Sequence, residues 1–153
     1  MANENALIVY YSRTGTAQKV AEGLKDKLGC DAERVTYANK KTPPSFIRAC
    51  FESVLKKTCA IEGDAGDYAK YARIIAVTPV WASGMSTPIR AFFKKHARSI
   101  SSYSIISVAF STAVIEEDCE KAAGKKPEKA TLILADNVNK GEIDYDSLVV
   151  LAE

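Results

Sequence analysis

Several kinds of site are missing from this 153-residue sequence before any fold is considered. It has one histidine, His96, and four cysteines, Cys30, Cys50, Cys59 and Cys119, none in a C-x-x-C pair. No zinc-type cluster can be assembled from that spacing, and the thiols read as reduced core or surface groups. Apolar runs such as Arg73 to Thr78, RIIAVT, fall far short of the length a membrane span needs. The first residues, Met1-Ala-Asn-Glu-Asn, lack the basic and apolar regions of a signal peptide, so the expected location is cytoplasmic, with no membrane partner. Neither sign of charge is in excess: 21 basic against 19 acidic residues, with Lys and Arg scattered instead of forming a stripe. No nucleic-acid partner is expected from that distribution. Repeats and low-complexity tracts are also absent, and the length suits a single domain, 1–153.

What the chain does have begins at Ile8 to Leu24, IVYYSRTGTAQKVAEGL. A β-branched and aromatic run stops at the hydroxyl-rich turn Ser12-Arg13-Thr14-Gly15-Thr16, and the chain leaves it as an amphipathic helix. Ala17, Val20, Ala21, Leu24 and Leu28 share one face, and Gly29 suits the stop. Strand, polar loop and helix N-terminus in that order build an anion site, because the unpaired N–H groups of the first turn and the positive end of the dipole point back at the loop. The loop has one glycine where a dinucleotide fingerprint needs three, and Lys19 lies inside the helix, not at the end of a nucleotide-triphosphate loop. On its own the stretch also suits a capped turn that binds nothing.

Further along, Val35 and Tyr37 alternate in a short polar strand over Glu33 to Tyr37, and Asn39 to Pro44 reads as a loop. Ser45 caps a helix that carries Phe46, Ile47, Cys50, Phe51, Val54 and Leu55 on one side, expected to face the core. After a short helical turn at Tyr68 to Tyr71, Arg73 to Thr78 reads as a central strand buried on both faces. The loop Pro79 to Ser86 holds the one tryptophan, Trp81, expected to be exposed. Thr87 caps the next helix with Pro88 in its first turn; Ile89, Phe92, Phe93 and Ala97 face inward, with Arg90, Lys94, Lys95 and Arg98 outward. His96 borders that stripe with no obvious carboxylate partner and reads as a boundary residue. Strands over Ser104 to Phe110 and Ala130 to Ala135 follow, with a helix from Val114 to Ala123 closed by Gly124, and Asp144 caps a last short helix. Strands alternating with helices predict a parallel α/β sheet with right-handed crossovers.

In such an open sheet, ligands sit beyond the carboxyl ends of the strands where the strand order reverses. With five strands in order 2-1-3-4-5, the loops meeting there are Ser12 to Ala17 and Pro79 to Gly84, with Ser111 to Ala113 close by. A phosphate cradle would then face Trp81, which suits a flat aromatic ligand with a phosphate tail; stacking of aromatic pairs adds about 0.5 to 1.5 kcal/mol beyond area burial.

At these residues the chain resembles the flavodoxin-like FMN proteins over essentially its whole length. Tyr10-Tyr11-Ser12-Arg13-Thr14-Gly15-Thr16 is similar to that family's phosphate loop, and Thr78-Pro79-Val80-Trp81-Ala82 followed by Pro88-Ile89-Arg90-Ala91-Phe92-Phe93 to its third-strand loop and helix. The resemblance implies a three-layer sandwich with helices on both faces of the sheet, and FMN as cofactor. Ser12, Arg13, Thr14, Gly15, Thr16 and Ala17 would hold the phosphate end. Thr78, Pro79, Val80, Trp81 and Ala82 would line the isoalloxazine, and Ser111 and Thr112 would approach its other side. Where many members have threonine at the end of the phosphate loop, this chain has Ala17, and the strand-four loop lacks the glycines or aromatics often found there. The implied function is electron transfer with a redox partner protein. The alternatives are an FMN-dependent NAD(P)H:quinone-type oxidoreductase, or a flavodoxin-fold interaction module without FMN. Glu116, Glu117 and Asp118 are expected at the start of an exposed helix, near enough to act on a bound flavin or simply favoured there by the dipole.

Overall fold

A computed structural model describes residues 4–38 and 44–153. Its elements in chain order are β1 (Ala6–Tyr10), α1 (Thr16–Leu28), β2 (Asp31–Arg34), β3 (Thr36–Tyr37), α2 (Phe46–Val54), β4 (Ile61–Glu62), β5 (Arg73–Trp81), β6 (Gly84–Met85), α3 (Thr87–His96), β7 (Tyr103–Ala109), α4 (Glu116–Ala123), β8 (Ala130–Leu134), α5 (Ala135–Asn139) and α6 (Tyr145–Leu148). Single 3-10 turns cover Tyr68–Lys70 and Val149–Ala152. Five strands pair in parallel in the order β2-β1-β5-β7-β8, which is the expected 2-1-3-4-5 arrangement, and β6 adds an antiparallel hairpin to the end of β5.

Alternation along the strands splits the core into two layers. Leu7, Val9, Ile74, Ala76 and Ile105 point to one side, against Ile89, Phe92 and Phe93 of α3 and Cys119 and Ala122 of α4. Ile8, Ile75, Val77 and Ile106 point to the other, against Val20, Ala21 and Leu24 of α1 with Val138, Leu148 and Leu151 from the C-terminal segments. β1, β7 and most of β5 are buried on both faces, and the edge strands β2 and β8 are partly exposed. Among the described residues no helix is long and apolar enough to cross a membrane.

Several readings of the sequence need correction; the smallest is the cap of α3, which is Ser86, with Thr87 already the first helical residue. The second strand is Asp31–Arg34, and beyond Val35 the chain turns away, so that Thr36 and Tyr37 pair antiparallel with Ile61 and Glu62 in a separate ribbon. Residues 39–43 of the loop read at Asn39 to Pro44 lie outside the described residues.

Helix α2 begins at the expected cap, with Ser45 Oγ accepting from Arg48 N at 3.3 Å, but it presents the opposite face to the core. Ala49 and Ser53 are buried, while Phe46, Ile47, Phe51, Val54 and Leu55 are exposed. The small residues face inward because the helix sits close on the β5–β6 hairpin. There Ser53 Oγ donates to the carbonyl of Trp81 at 2.9 Å or of Met85 at 3.0 Å.

Arg90, assigned to the outer face of α3, is fully buried: Asp118 of α4 accepts from its Nη2 at 2.7 Å. Helical spacing alone could not reveal that partner, which lies 28 residues away. His96 likewise has a carboxylate partner, Asp64 Oδ2 at 2.7 Å, which Lys95 shares at 2.8 Å.

Candidate functional site

The carboxyl ends of β1, β5 and β7 open on a cleft of about 350 Å³, within the roughly 300 to 1,000 Å³ usual for small-molecule sites. One end is polar. β1 ends at Tyr10, and the chain crosses to α1 through Ser12, Arg13, Thr14 and Gly15. Gly15 takes the left-handed conformation, φ 96°, which glycine enters without a Cβ penalty, and so turns the chain into the helix. Ser12 is buried, and its Oγ accepts from Gly15 N at 3.0 Å, which closes the turn. Thr14 and Thr16 bring their hydroxyls within 3.4 Å of each other at the helix entrance.

No side chain caps α1, and its first turn holds no acid. Lys19 N is the amide that bonds back to Gly15 O. The amides of Thr16, Ala17 and Gln18, which precede it, are those that a helix cannot satisfy internally. Thr16 and Ala17 line the cleft, which places the positive end of the helix dipole at it. Arg34 of β2 braces the loop from behind, donating from Nη2 to Ser12 O at 3.1 Å and from Nη1 to Gln18 Oε1 at 3.2 Å. Arg13 is exposed at the mouth; its Nη1 donates to Pro44 O at 3.1 Å, and its guanidinium lies 5.8 Å from the Phe46 ring centroid.

The rest of the cleft is apolar: Pro79, Val80 and Trp81 from β5, Val108 and Phe110 from β7 and its exit, Phe46 from α2, and Ala135 from α5. The expected loop after Thr78 is in large part a hairpin, with Val80 opposite Met85 and Trp81 opposite Gly84. Its two turn residues, Ala82 and Ser83, have φ of 50° and 64°, the paired positive values of a type I′ turn. Trp81 is 3% exposed, not an open stacking platform: it packs edge-on to Tyr11 at 5.5 Å and to Phe46 at 6.4 Å, and only part of it reaches the cleft. Burial also pushes the Tyr11 phenol above its ordinary pKa, the dominant cause, so that it stays neutral beneath this wall.

A buried polar network fixes the hairpin. Asp118 Oδ2 accepts from Met85 N at 3.0 Å and from Arg90 Nη2, which also donates to Met85 O at 3.2 Å; Arg90 Nη1 reaches Lys57 O at 3.3 Å. A Cβ on Gly84 would stand 2.9 Å from Ser53 Oγ and 3.0 Å from Asp118 Oδ2, so glycine is what lets the hairpin approach this cluster. Burial raises the Asp118 pKa, but the Arg90 hydrogen bond, the Met85 N–H and the charges of Arg90 and Lys56 outweigh it and hold the carboxyl below its usual range.

Of the residues expected from sequence, Ser12, Arg13, Thr14, Thr16, Ala17, Pro79, Val80 and Trp81 line this one cleft, and Gly15 shapes its loop. Thr78 is fully buried; its Oγ1 accepts from Ser86 N at 3.0 Å and lies 2.9 Å from Ser86 Oγ, which places it behind the wall. Ala82 is exposed at the hairpin tip. Ser111 is exposed and does not line the cleft, and Thr112 lines a separate depression with Asn137, Glu142 and Asp144. Asp118 belongs to the buried network, not to an exposed acidic cluster. Sequence reasoning missed Phe46, Val108, Phe110 and Ala135 as lining residues. Phe110 was read as the last residue of a strand, but β7 ends at Ala109 and leaves Phe110 81% exposed at the cleft. A large aromatic next to a Ser-Thr loop at a carboxyl strand end was the available signal.

The doubly wound sheet in this order, with a ligand-sized cleft at its switch point, defines the flavodoxin-like fold. Solved structures with the same fold bear this out. A flavoprotein of Lactobacillus acidophilus NCFM, crystallised in complex with FMN, superposes with a TM-score of 0.75 at 18% identity, over 90% of this chain and 98% of that one. A WrbA-like flavodoxin of Agrobacterium tumefaciens gives 0.65 at 12% identity, over 98% and 96%. An NADH:FMN oxidoreductase in its apo form gives 0.55 at 13%, over 97% and 86%. No protein-family model matches the chain, and no curated protein sequence matches it.

Proposed function

We propose that the cleft binds FMN and that the protein is a flavodoxin-type electron-transfer protein. One observation carries the reading: the same cleft has an uncapped helix N-terminus flanked by Ser12, Thr14 and Thr16 at one end and apolar walls at the other. A phosphate fits the first end, because the free amides donate to it and the dipole favours its charge. Ala17 is not an obstacle, since backbone N–H groups supply the donors that a threonine hydroxyl would otherwise add. A flat ring system fits the second end, which Pro79, Val80, Trp81 and Phe110 line.

The flavin supplies the redox chemistry when bound, and the protein's part is to bind, orient and tune it. Among the twelve residues lining the cleft there is no His, Cys, Asp or Glu. No side chain there is suited to general acid or base work at neutral pH, which favours a carrier over an enzyme that must move protons for its substrate. The likeness to an NADH:FMN oxidoreductase keeps an oxidoreductase as the second reading. The cytoplasmic location and the redox partner expected from sequence remain part of this proposal.

Two measurements test it. Purified protein is expected to show the absorption bands of bound oxidised flavin, or to quench the fluorescence of added FMN with saturation. Protein that stays colourless and leaves FMN fluorescence unchanged sinks the reading. With FMN bound, sustained turnover of NADH or NADPH with a benzoquinone would replace the carrier by the oxidoreductase.

A further inference from the structure

The outer face of α2 is apolar where a surface helix is ordinarily polar. Ile47, Phe51, Val54 and Leu55 are all exposed, Ile47 by 81% and Phe51 by 67%. Their spacing, i, i+4, i+7 and i+8, lines them along one stripe. Phe46, at the start of the helix and half exposed, is turned from this stripe toward Trp81 and stands beside it at the cleft, where it forms part of the wall. The helix is held in this orientation, because its inner face is engaged through Ser53 with the carbonyls of the hairpin. A contiguous exposed apolar patch of this kind marks an interaction surface.

The charges around the patch select its occupant. Arg13 lies over Phe46 at one end, Arg48 projects from the helix, and Lys56 and Lys57 follow its last turn; all four are exposed. The one acid of α2, Glu52, is half-buried and pairs with Arg48 Nε at 3.1 Å, so these two charges offset each other and the net positive charge of the rim rests on Arg13, Lys56 and Lys57. Lys56 reaches Asp118 Oδ1 at 3.3 Å, but that carboxylate is already paired with Arg90. A two-fold contact with a second copy of this chain would set this basic rim against itself, an arrangement that like charges oppose. An acidic rim around an apolar centre complements it.

We propose that the outer face of α2 docks an acidic electron-carrier protein, seated so that the partner lies against Phe46 at the mouth of the cleft. The electron-transfer part rests on the FMN reading; the docking does not need the cleft to be filled.

The test uses the full chain, with FMN and without it, titrated calorimetrically with an acidic plant-type [2Fe–2S] ferredoxin, and with a basic cytochrome c as the charge-reversed control. Ferredoxin is expected to bind and to weaken as ionic strength rises. Phe51→Ser and Ile47→Ser are each expected to weaken it by about ten- to thirtyfold, as central interface anchors do. Both should leave FMN affinity and the urea midpoint unchanged. Lys57→Glu should weaken it severalfold, and only at low salt. Absence of ferredoxin binding, equal or tighter binding of cytochrome c, or indifference to the stripe substitutions overturns the proposal while the cofactor reading stands. Failure to bind FMN overturns that reading instead, with docking still measured on the free chain. A concentration-dependent dimer in sedimentation that Phe51→Ser abolishes would give the surface to a second copy and also overturn the proposal.

Discussion

Helices α1 and α4 both start from the carboxyl edge of the sheet, α1 after β1 and α4 after β7, yet they treat their positive ends in opposite ways. α4 fills its first turn with its own acids, Glu116, Glu117 and Asp118. Neither helix has a side-chain cap, but α1 has no acid in its first turn, and its N-terminus follows a glycine and faces the cleft. Helix termini need anions or acceptors. One of these helices supplies them from within and thereby builds the wall of the site, and the other leaves the place to a ligand. The same physics produces a structural element at α4 and a binding element at α1.

The largest expected effect breaks the self-satisfied side. Asp118→Ala leaves Arg90 buried without its partner, and removing one member of a buried pair costs about 3 to 5 kcal/mol. The urea midpoint should fall accordingly, and the β5–β6 hairpin should lose hydrogen-exchange protection first at Met85. The pair also sets a pH dependence. A carboxyl whose folded pKa is depressed contributes stability that is present above its unfolded pKa and lost as pH falls through the folded one. Wild type should therefore lose stability from about pH 4 downward by more than Asp118→Asn does, measured by urea unfolding across that range.

The next effect is on ligand binding and turns α1 into an α4. Thr16→Asp places a carboxylate at the uncapped N-terminus, where it takes the amides and the dipole for itself. An own acid there should stabilise the protein without cofactor by about 0.3 to 1 kcal/mol while repelling a phosphate. FMN affinity should fall by about a hundredfold, or roughly 2.7 kcal/mol, and riboflavin, which lacks the phosphate, should bind as before. Equal losses for both ligands would mean that the loop does not read phosphate.

How much of this was legible in the sequence follows from the kind of interaction involved. The strand order, the α1 loop and the caps at Gly29, Ser45, Gly124 and Asp144 depend on local pattern, and the structure has them. Trp81, Arg90 and the face of α2 depend on partners far along the chain. A tryptophan beyond a central strand could as well have stood in solvent; Tyr11 and Phe46 decide that it is buried. Arg90 belongs to the polar side of α3 by composition and is drawn inward by Asp118. The stripe of α2 has the periodicity of a core face, and periodicity cannot tell a core from a docking surface.

A smaller effect concerns the apolar end of the cleft. Phe110→Ala removes an exposed ring that contributes little to the fold, so the urea midpoint should stay within about 0.5 kcal/mol of wild type. FMN affinity should drop by about tenfold, from lost burial together with ring stacking. Riboflavin should suffer equally, because the ring and not the phosphate loses its cover, and that pattern is the opposite of the one expected for Thr16→Asp. A drop for FMN alone would place Phe110 at the wrong end of the site.

The smallest effect is at the two acids of α4 that are not buried. Glu116 and Glu117 are exposed, Glu117 pairs with Lys121 at 3.0 Å on its own helix, and neither lines the cleft. If they serve only the dipole of α4, Glu116→Gln with Glu117→Gln should lower stability by about 0.3 to 1 kcal/mol per charge and leave the potential of bound FMN unchanged. If their field reaches the cleft, the same double substitution should raise that potential, because the negative charge opposing reduction of the flavin is gone. The geometry supports the first outcome: the charge of Asp118 is neutralised by Arg90 and Lys56, and exposed carboxylates are screened by water and salt before they reach the ring. A redox titration of the double variant beside its urea curve separates the two, and a rise in potential without loss of stability would reverse the assignment of α4 as the self-satisfied helix.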